Sequence, residues 1–446
     1  MTTAQKAKAF CVFLLEVKMK LYGRICHDLN NITTEKLKAS KPGVSNVQGK
    51  YICHQCGNTD QTLFFQYYCH HCNKETTYCR YCVNFGKAQS CKDIYIIESK
   101  RHQTDGKYRL DFELSEQQRI ASENIQRAVL KYEHLLLHAV TGAGKTEMIF
   151  AGISAARQKG DNIAVVSPRV DVVKEVYLRL TNAFKDEQID LMYEGQFAQY
   201  NSTFVVATVH QLMRYDGHFN VVIVDEVDAF PLEMDQQLMH TIQKASATSA
   251  SHIYLTATPN KRLLSQFNHS QIIKLPARYH GHPPPIPEFQ FNTIKETKLN
   301  PKLLKFLKQQ IENERKTFVF FHDIRFMEKV FNIYRHYFSK IEYVSSIDSK
   351  RHEKVMRLRN NEIDIMFTTT ILERGITLEK LDVVIVNTEK FNSSAIIQIA
   401  GRVDRKIAYP NGKVLCYHEG LTKHMMHAKN EIVKMNRLAF QKGWIT

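Results

Sequence analysis

A glycine-rich turn between an apolar segment and a helix-forming segment carries the clearest chemical signal in this sequence. Residues 139–147 read Ala-Val-Thr-Gly-Ala-Gly-Lys-Thr-Glu, an apolar run at 134–138 precedes them, and 147–158 favours a helix. Glycines let successive backbone N–H groups curl around phosphate oxygens, and the positive end of the following helix faces the same anion. The pattern therefore predicts a phosphate-binding loop. The loop residues predicted to bind the nucleotide are Thr141, Gly142, Ala143, Gly144, Lys145, Thr146 and Glu147.

Three side chains in and near this loop have distinct predicted roles. Lys145 would contact the outer phosphates and the Thr146 hydroxyl would hold Mg²⁺, so ATP and Mg²⁺ are the expected cofactors. Upstream, residues 114–118 read Leu-Ser-Glu-Gln-Gln and predict a helix start capped by Ser115. An element of this kind before a phosphate loop can place a glutamine, here Gln118, on the adenine.

Further polar side chains stand where buried strands are predicted to end. The predicted strands are rich in β-branched residues, and polar residues do not alternate with apolar ones, as is typical of strands buried on both faces. They lie at 163–166, 204–206, 221–224 and 253–255. After the third strand, Asp225 would bind Mg²⁺ through water, and Glu226 would orient or deprotonate the attacking water. The residues after the other strands that are candidates for coupling or for contacts with a nucleic-acid backbone are Arg169, Thr208, Gln211, Thr256 and Thr258.

A second series of strand and helix patterns follows, and it lacks a phosphate loop. Its apolar runs lie at 318–321, 341–344, 363–367, 383–386 and 414–417. After the third run, the segment 368–377 supplies Thr369 and Thr370 as predicted coupling residues and Gly375 as a predicted nucleotide-binding residue.

A pair of arginines in this second series has the spacing of one helical face. Residues 398–405 read Gln-Ile-Ala-Gly-Arg-Val-Asp-Arg, and a helix there would place Arg402 and Arg405 side by side. Such a pair can reach a neighbouring domain's nucleotide site and stabilise charge on the transferring γ-phosphoryl group. The predicted catalytic residues are then Lys145, Asp225, Glu226, Arg402 and Arg405.

These patterns divide the 446-residue chain into successive parts of an α/β protein. The two strand-and-helix series each predict a doubly wound parallel sheet, and a stiff, proline-rich segment separates them. The predicted parts are an N-terminal element (1–50), a cysteine module (51–100), a first sheet domain (107–275), a linker (276–290) and a second sheet domain (291–446).

The charge balance predicts a polyanionic partner. Lys and Arg number 61 against 45 Asp and Glu, giving a net charge of +16, and so basic a protein favours nucleic acid over membrane as its partner. The longest apolar run near the start, 9–15, is far too short to span a bilayer. We therefore expect a cytoplasmic protein whose membrane association is peripheral.

Seven of the ten cysteines lie within residues 53–91. Cys-x-x-Cys pairs without a recognisable signal peptide favour metal over disulfides, and two such turns make a closed tetrahedral Zn²⁺ site that stabilises a small module. Spacing alone does not choose the ligands or decide between one ion and two. The pairs are Cys53 and Cys56, then Cys69 and Cys72, which local spacing favours as the second half of the site, then Cys79 and Cys82.

The motifs within 114–405 occur in an order that resembles superfamily 2 helicases and translocases. The phosphate loop, 225–231, 369–375 and the cysteine module are together similar to the ComFA family, the late competence ATPases of Gram-positive bacteria. This resemblance implies two RecA-like domains in tandem after a small zinc-binding module. It also implies that the zinc ligands are Cys53, Cys56, Cys79 and Cys82.

The same resemblance implies a cytosolic motor at the membrane DNA channel that helps to draw transforming single-stranded DNA inward. It implies contacts with the channel protein ComEC and with the competence proteins ComFC and DprA. Two other functions stay open from the residues themselves. One is a replication-restart or RNA helicase of the same superfamily, and the other is a zinc-dependent DNA-binding adaptor whose ATPase fold serves as a switch.

Overall fold

A small N-terminal module and two parallel-sheet domains make up the described part of the chain. The computed structural model describes residues 20–28, 36–196, 198–200, 203–370, 378–404 and 412–445. No helix within these ranges combines the length and the apolar character needed to cross a bilayer.

In the residues that the structure describes, the N-terminal module contains seven short strands. They are β1 (Ile25–Cys26), β2 (Leu37–Pro42), β3 (Val44–Val47), β4 (Lys50–Cys53), β5 (Phe64–Cys69), β6 (Lys74–Cys79) and β7 (Asp93–Ile97). Strands β1, β7 and β2 form an antiparallel sheet in that order, while β3–β4 and β5–β6 are hairpins. Because β2 pairs with β7, one sheet crosses the boundary predicted at residue 50. Residues from 36 onward therefore fold with the cysteines that follow them.

The first sheet domain has seven parallel strands in the order β10–β11–β9–β12–β13–β8–β14. Its elements are α1 (Glu116–Lys131), β8 (Leu135–Ala139), α2 (Lys145–Met148), α3 (Phe150–Gln158), β9 (Ile163–Ser167), α4 (Val170–Ala183), β10 (Asp190–Met192), β11 (Phe204–Thr208), β12 (Phe219–Asp225), α5 (Gln236–Ala245), β13 (Ser246–Thr256), α6 (Lys261–Leu264) and β14 (Ile272–Leu275). The four strands predicted after the phosphate loop are confirmed. The two edge strands, β10 and β14, were not predicted.

The second sheet domain has six parallel strands in the order β15–β20–β19–β16–β18–β17. Its elements are β15 (Glu288–Phe291), α7 (Pro301–Glu312), β16 (Lys316–Phe320), α8 (Ile324–Tyr334), β17 (Ile341–Val344), α9 (Arg351–Arg359), β18 (Ile365–Thr368), β19 (Leu381–Ile385), α10 (Ser393–Ala400), β20 (Val414–His418) and α11 (Lys423–Gln441). All five predicted strands are confirmed. Strand β15 begins inside the segment predicted as a linker.

Burial on both faces explains why these strands read as continuous apolar runs. Every residue of β8, β9 and β11 is buried, and helices or the N-terminal module cover the two faces of the first sheet. Parallel strands end at one edge of their sheet, so the polar residues that follow β8, β12 and β13 are brought together there.

Candidate active site and metal site

The predicted phosphate loop leaves the end of β8 and enters α2. Gly142 and Gly144 have φ angles of +82° and +77°, in the left-handed region that glycine adopts at no steric cost. A Cβ at Gly144 would also lie 2.4 Å from the side-chain nitrogen of Gln118. The loop therefore has the backbone path that a phosphate cradle requires, and the residues present fit a bound nucleotide with its Mg²⁺.

Gln118 braces this loop from α1. Its Nε2 donates to the carbonyl of Ala143 at 2.9 Å, and its Oε1 accepts from the backbone N–H of Ser115 at 3.0 Å. The predicted helix start at Ser115 is thus confirmed, with Gln118 as the third helical residue. The contact of Gln118 with adenine stays a prediction.

The predicted metal and water ligands lie at the end of β12. Asp225 is the last residue of that strand, and its Oδ1 accepts the backbone N–H of Glu226 at 2.8 Å. Glu226 has a φ of +54°, a left-handed conformation that is uncommon for residues other than glycine and is often seen at functional sites. Strand β13 separates β12 from β8, so the carboxylates lie one strand away from the strand that precedes the phosphate loop.

Asp228 joins three predicted motifs through its buried carboxylate. Its Oδ1 accepts from the Thr256 hydroxyl at 2.7 Å, and its Oδ2 accepts from the Thr258 hydroxyl at 2.6 Å. The same Oδ2 accepts from Nε2 of Gln398, in α10 of the second domain, at 3.1 Å. This network connects Thr256 and Thr258 to the second domain, and their role in coupling stays a prediction. Asp228 stands in the same acidic motif as Asp225 and Glu226, but no role was predicted for it.

His138, the residue before the end of β8, also contacts this network. Its Nε2 lies 3.2 Å from the carbonyl oxygen of Ala257. Burial lowers the pKa of His138 to about 4, so the ring is neutral at pH 7 and Nε2 carries the proton that is donated. The strand that leads into the phosphate loop is therefore hydrogen-bonded to the segment between Thr256 and Thr258.

The second domain meets the phosphate loop through the turn that follows α10. The prediction that Arg402 continues a helix is wrong, because α10 ends at Ala400. The N–H of Arg402 donates to the carbonyl of Ile399, three residues back, at 3.0 Å, which is the bond of a tight turn and not the four-residue bond of an α-helix. Gly401 packs on the loop so closely that a Cβ there would lie 1.8 Å from Oγ1 of Thr141. Arg402 is buried, 2% exposed, beside this contact. Arg405 and Gly375 lie outside the described residues.

Arg278 strengthens the same interdomain contact from the segment predicted as a linker. It is fully buried, and its Nη1 donates to the carbonyls of Val403 and Asp404 at 2.7 and 2.8 Å. Its side chain also packs beside Gly142. A single arginine in a proline-rich segment gives no sequence signal, so this residue was missed.

Replacing Gly401 with alanine is expected to slow ATP hydrolysis on the order of 10²-fold, because the added methyl group must push the turn off Thr141 and misplace it by about an ångström. Steady-state hydrolysis measures the effect. The matched control is Gly420→Ala, where an added Cβ meets nothing within 4 Å. Equal rates for the two variants would contradict the role assigned to this contact.

The predicted nucleic-acid contacts differ in accessibility. Thr208, Gln211 and Thr369 are buried, whereas Arg169 is half-buried and Thr370 is exposed. Gln211 lies in the short 3₁₀ helix Val209–Arg214, which follows β11. Their role at a nucleic acid stays a prediction.

Four cysteine sulfurs in the N-terminal module form a compact group. Cys53 and Cys82 have sulfurs 3.6 Å apart, those of Cys56 and Cys79 are 3.8 Å apart, and all four residues are buried. Zn–S bonds of about 2.3 Å in a tetrahedron place sulfurs about 3.8 Å apart, so the group fits one Zn²⁺. Hydrogen bonds from Cys53 and the other neighbouring thiols hold the pKa of Cys79 well below its usual range.

This arrangement decides between the two pairings that spacing left open. The pairing that local spacing favoured is wrong, because Cys69 and Cys72 form a separate group with Cys91. The pairing implied by the resemblance is the one that the fold brings together.

The cysteine module is docked on the first sheet domain. The Tyr81 hydroxyl donates to Asp235 at 2.7 Å, and Gln237 donates to the carbonyl of Cys56 at 2.6 Å. The four clustered cysteines belong to the same hydrophobic cluster as Leu212, on the 3₁₀ helix. The module therefore packs against the first sheet domain and shares one of its hydrophobic cores.

Known proteins share this organisation. The Competence protein ComFA N-terminal domain matches residues 12–96, the type III restriction enzyme res subunit matches 111–261, and the helicase conserved C-terminal domain matches 299–406. Competence protein ComFA of Bacillus subtilis (strain 168) is 36% identical over 402 residues, which span 87% of this chain and 86% of the relative. The chain belongs to the ComFA family. Competence protein ComFA of Streptococcus pneumoniae (strain ATCC BAA-255 / R6) is 32% identical over 438 residues, 95% of this chain and 100% of the relative.

Solved structures support the two-domain fold. S. cerevisiae Dbp5 bound to RNA and ADP BeF3 has a TM-score of 0.51 at 12% identity and covers 72% of this chain and 91% of its own. Mss116p bound to ssRNA and AMP-PNP has a TM-score of 0.54 at 16% identity and covers 68% of this chain and 72% of its own. At these identities the likeness shows the fold alone. With its family and domains, the protein is a competence-related, helicase-like ATPase.

In this ComFA-family protein, Cys79→Ser is expected to lose the Zn²⁺ of the four-cysteine group, because a serine hydroxyl would take the place of one of the four buried thiolates that enclose the ion. Since the cluster shares its core with the first domain, the midpoint of thermal unfolding of that domain should fall as well. Zinc content per chain and thermal unfolding measure the two effects. The control Cys26→Ser, outside both cysteine groups, should keep the zinc content of the parent, and a Cys79→Ser protein with that same zinc content would refute the ligand set.

Proposed function

We propose that this protein is an ATP-driven motor that moves along single-stranded DNA and helps to draw transforming DNA into the cytoplasm. The observation that carries the proposal is the contact of Gly401 with Thr141. It places a turn of the second domain directly on the phosphate loop of the first. A change in bound nucleotide at this loop then changes how the two domains meet, which is what a translocating motor needs.

The chain's own residues define a hydrolysis site in this proposal. Lys145 would contact the outer phosphates, Thr146 would hold Mg²⁺ directly and Asp225 would hold it through water, and Glu226 would orient the attacking water and accept its proton. Mg²⁺, when bound, neutralises part of the phosphate charge. Arg402 stabilises the charge that develops on the γ-phosphoryl group from the second domain.

The bond between Asp228 and Gln398 supplies the coupling in this scheme. It joins the strand-end acids of the first domain to α10 of the second, through the same carboxylate that Thr256 and Thr258 contact. Loss of the γ-phosphate first displaces the phosphate loop and its strand β8, which is hydrogen-bonded to the segment of Thr256 and Thr258 through His138. The displacement then reaches the second domain as a change in a buried hydrogen bond, which is costly to leave unmade.

A single-stranded DNA track and a peripheral place at the inner membrane face complete the proposal. The net charge of +16 favours a polyanion, and family membership supports a role in competence. Arg169, Thr370 and their neighbours after the strand ends are the proposed contacts. ComEC, ComFC and DprA are the proposed protein partners.

Single-stranded DNA should stimulate ATP hydrolysis more than duplex DNA or RNA does, and its binding should weaken steeply with salt. Each phosphate contact adds roughly 0.7 to the slope of log affinity against log salt on single strands. Arg169→Ala should lower the magnitude of that slope by roughly 0.7, the contribution of one phosphate contact. Arg119 forms an ion pair with Glu123 on α1, and Arg119→Ala should leave the slope unchanged.

The three polynucleotides also separate the alternatives. Stimulation by RNA alone would favour an RNA helicase, and binding without stimulation would favour a zinc-dependent adaptor. A flat salt response would contradict a motor that tracks along phosphates.

A further inference from the structure

A second group of cysteines lies apart from the four-cysteine site. The sulfurs of Cys69, Cys72 and Cys91 lie within 4.8 Å of one another; Cys69 is buried, and the other two are half-buried. Strand β6 runs from this group to Cys79 and has six residues, so its ends are about 17 Å apart. The distance makes the two groups separate sites rather than one shared cluster.

The hairpin turn between β5 and β6 has the backbone of a metal-binding knuckle. The N–H of Cys72 donates to the carbonyl of Cys69 at 3.2 Å, and the next residue, Asn73, has a φ of +49°. The first turn of the four-cysteine group closes in a similar way: Gly57, directly after Cys56, has a φ of +77°. In both turns, a left-handed residue after the second cysteine keeps two thiols on one side of a tight loop.

Independent contacts fix the third cysteine. The N–H of Ser90 donates to the carbonyl of Thr77 at 2.8 Å, and the N–H of Thr77 donates back to the Ser90 hydroxyl at 3.0 Å. Because Ser90 is paired with Thr77 on β6, the next residue, Cys91, is held beside that strand and close to the turn that carries Cys69 and Cys72. The Cys72 sulfur lies 4.0 Å from the carbonyl oxygen of Cys91. The hydrogen bonds between Thr77 and Ser90, which use no thiol, thus help to bring three sulfurs from two separate segments together.

We propose that Cys69, Cys72 and Cys91 bind a second zinc ion, with the fourth position open to water or to an added ligand. Thiolates are soft ligands that select zinc among the common divalent ions, and three protein ligands leave one of the four positions of tetrahedral zinc open. Among the described residues, the group consists of these three cysteines alone. The site therefore differs from the closed four-cysteine site in being exchangeable.

Zinc content per chain tests this site on the purified full-length protein. The wild type is expected to hold two zinc ions, Cys91→Ser one, and the control Cys26→Ser two. Cys79→Ser is expected to keep the ion of the second site. In the wild type, a chelator titrated against a zinc-sensitive dye should remove one ion at a lower concentration than the other, because the open site exchanges more readily.

The chelator titration needs no variant, so it stands even where Cys91→Ser fails to fold. One zinc ion per wild-type chain, removed in a single step, would overturn the proposal. So would a Cys72–Cys91 disulfide found by mass spectrometry in protein kept under reducing conditions. None of these measurements depends on ATP hydrolysis or on DNA, so the result is independent of the proposed function.

Discussion

Lys145→Ala should reduce ATP hydrolysis on the order of 10³-fold or more, to background, while DNA binding stays within about twofold of the parent. Lys145 follows Gly144 at the start of α2, where the loop turns toward the site of the outer phosphates. Its ammonium would then meet charge that develops during phosphoryl transfer. No part of this role involves the DNA track.

Hydrolysis at saturating ATP and DNA binding by anisotropy measure the two halves of this expectation. The control is Lys185→Ala, an exposed lysine of the same domain, which should hydrolyse ATP at the parent rate. If Lys145→Ala also hydrolyses at that rate, the phosphate loop is not the active site. If Lys145→Ala loses DNA binding to the same extent as ATP hydrolysis, the ATP site and the DNA-binding surface are not separate.

The parts of the fold that could be predicted are those whose signal is local. The central strands of both sheets are buried on each face, so their residues form apolar runs that stand out in the sequence. The phosphate loop is a contiguous motif between such a strand and a helix. The edge strands β10 and β14 have only three and four residues, and Asp190 and Lys274 interrupt their apolar sequences, so these two strands give no such signal.

The contacts between domains could not be predicted, because each joins segments far apart in sequence. Gln398 meets Asp228 across 170 positions, and Arg278 meets Val403 across 125. A glutamine or an arginine in isolation is compatible with a solvated surface. Only the closing of one domain on the other identifies these residues as buried partners.

Which cysteines lie together could not be predicted from the sequence either, although they are close to one another in the chain. The sequence contains three Cys-x-x-Cys pairs, and the β5–β6 hairpin determines which of them lie together. Its ladder pairs Cys79 with Phe64 and Cys69 with Lys74, so the two pairs are carried to opposite ends of the hairpin. Cys79 and Cys82 are thereby brought to Cys53 and Cys56, while Cys69 and Cys72 are left for Cys91.

Arg402→Ala should slow hydrolysis on the order of 10³-fold, the smallest effect measured for an arginine that completes a phosphoryl-transfer site from a second domain. Arg402 follows the glycine that contacts Thr141, and Arg278 holds the carbonyl of the next residue, Val403, so the backbone beside Arg402 is fixed against the phosphate loop. The side chain is almost wholly buried, so it can act there without competition from water. Arg405→Ala is expected to reduce the rate as well.

Because a buried arginine also supports packing, the test of Arg402 needs a variant that keeps its charge. Arg402→Lys should remain folded by thermal unfolding yet stay slow, since an ammonium cannot reproduce the planar fork of a guanidinium. The control Arg119→Ala, on the surface of α1, should match the parent in rate and stability. A folded Arg402→Lys or Arg402→Ala protein within about twofold of the parent rate would show that the second domain does not complete the active site. The phosphate loop and its carboxylates would then act alone, and the contact of Gly401 with Thr141 would report domain closure without taking part in hydrolysis.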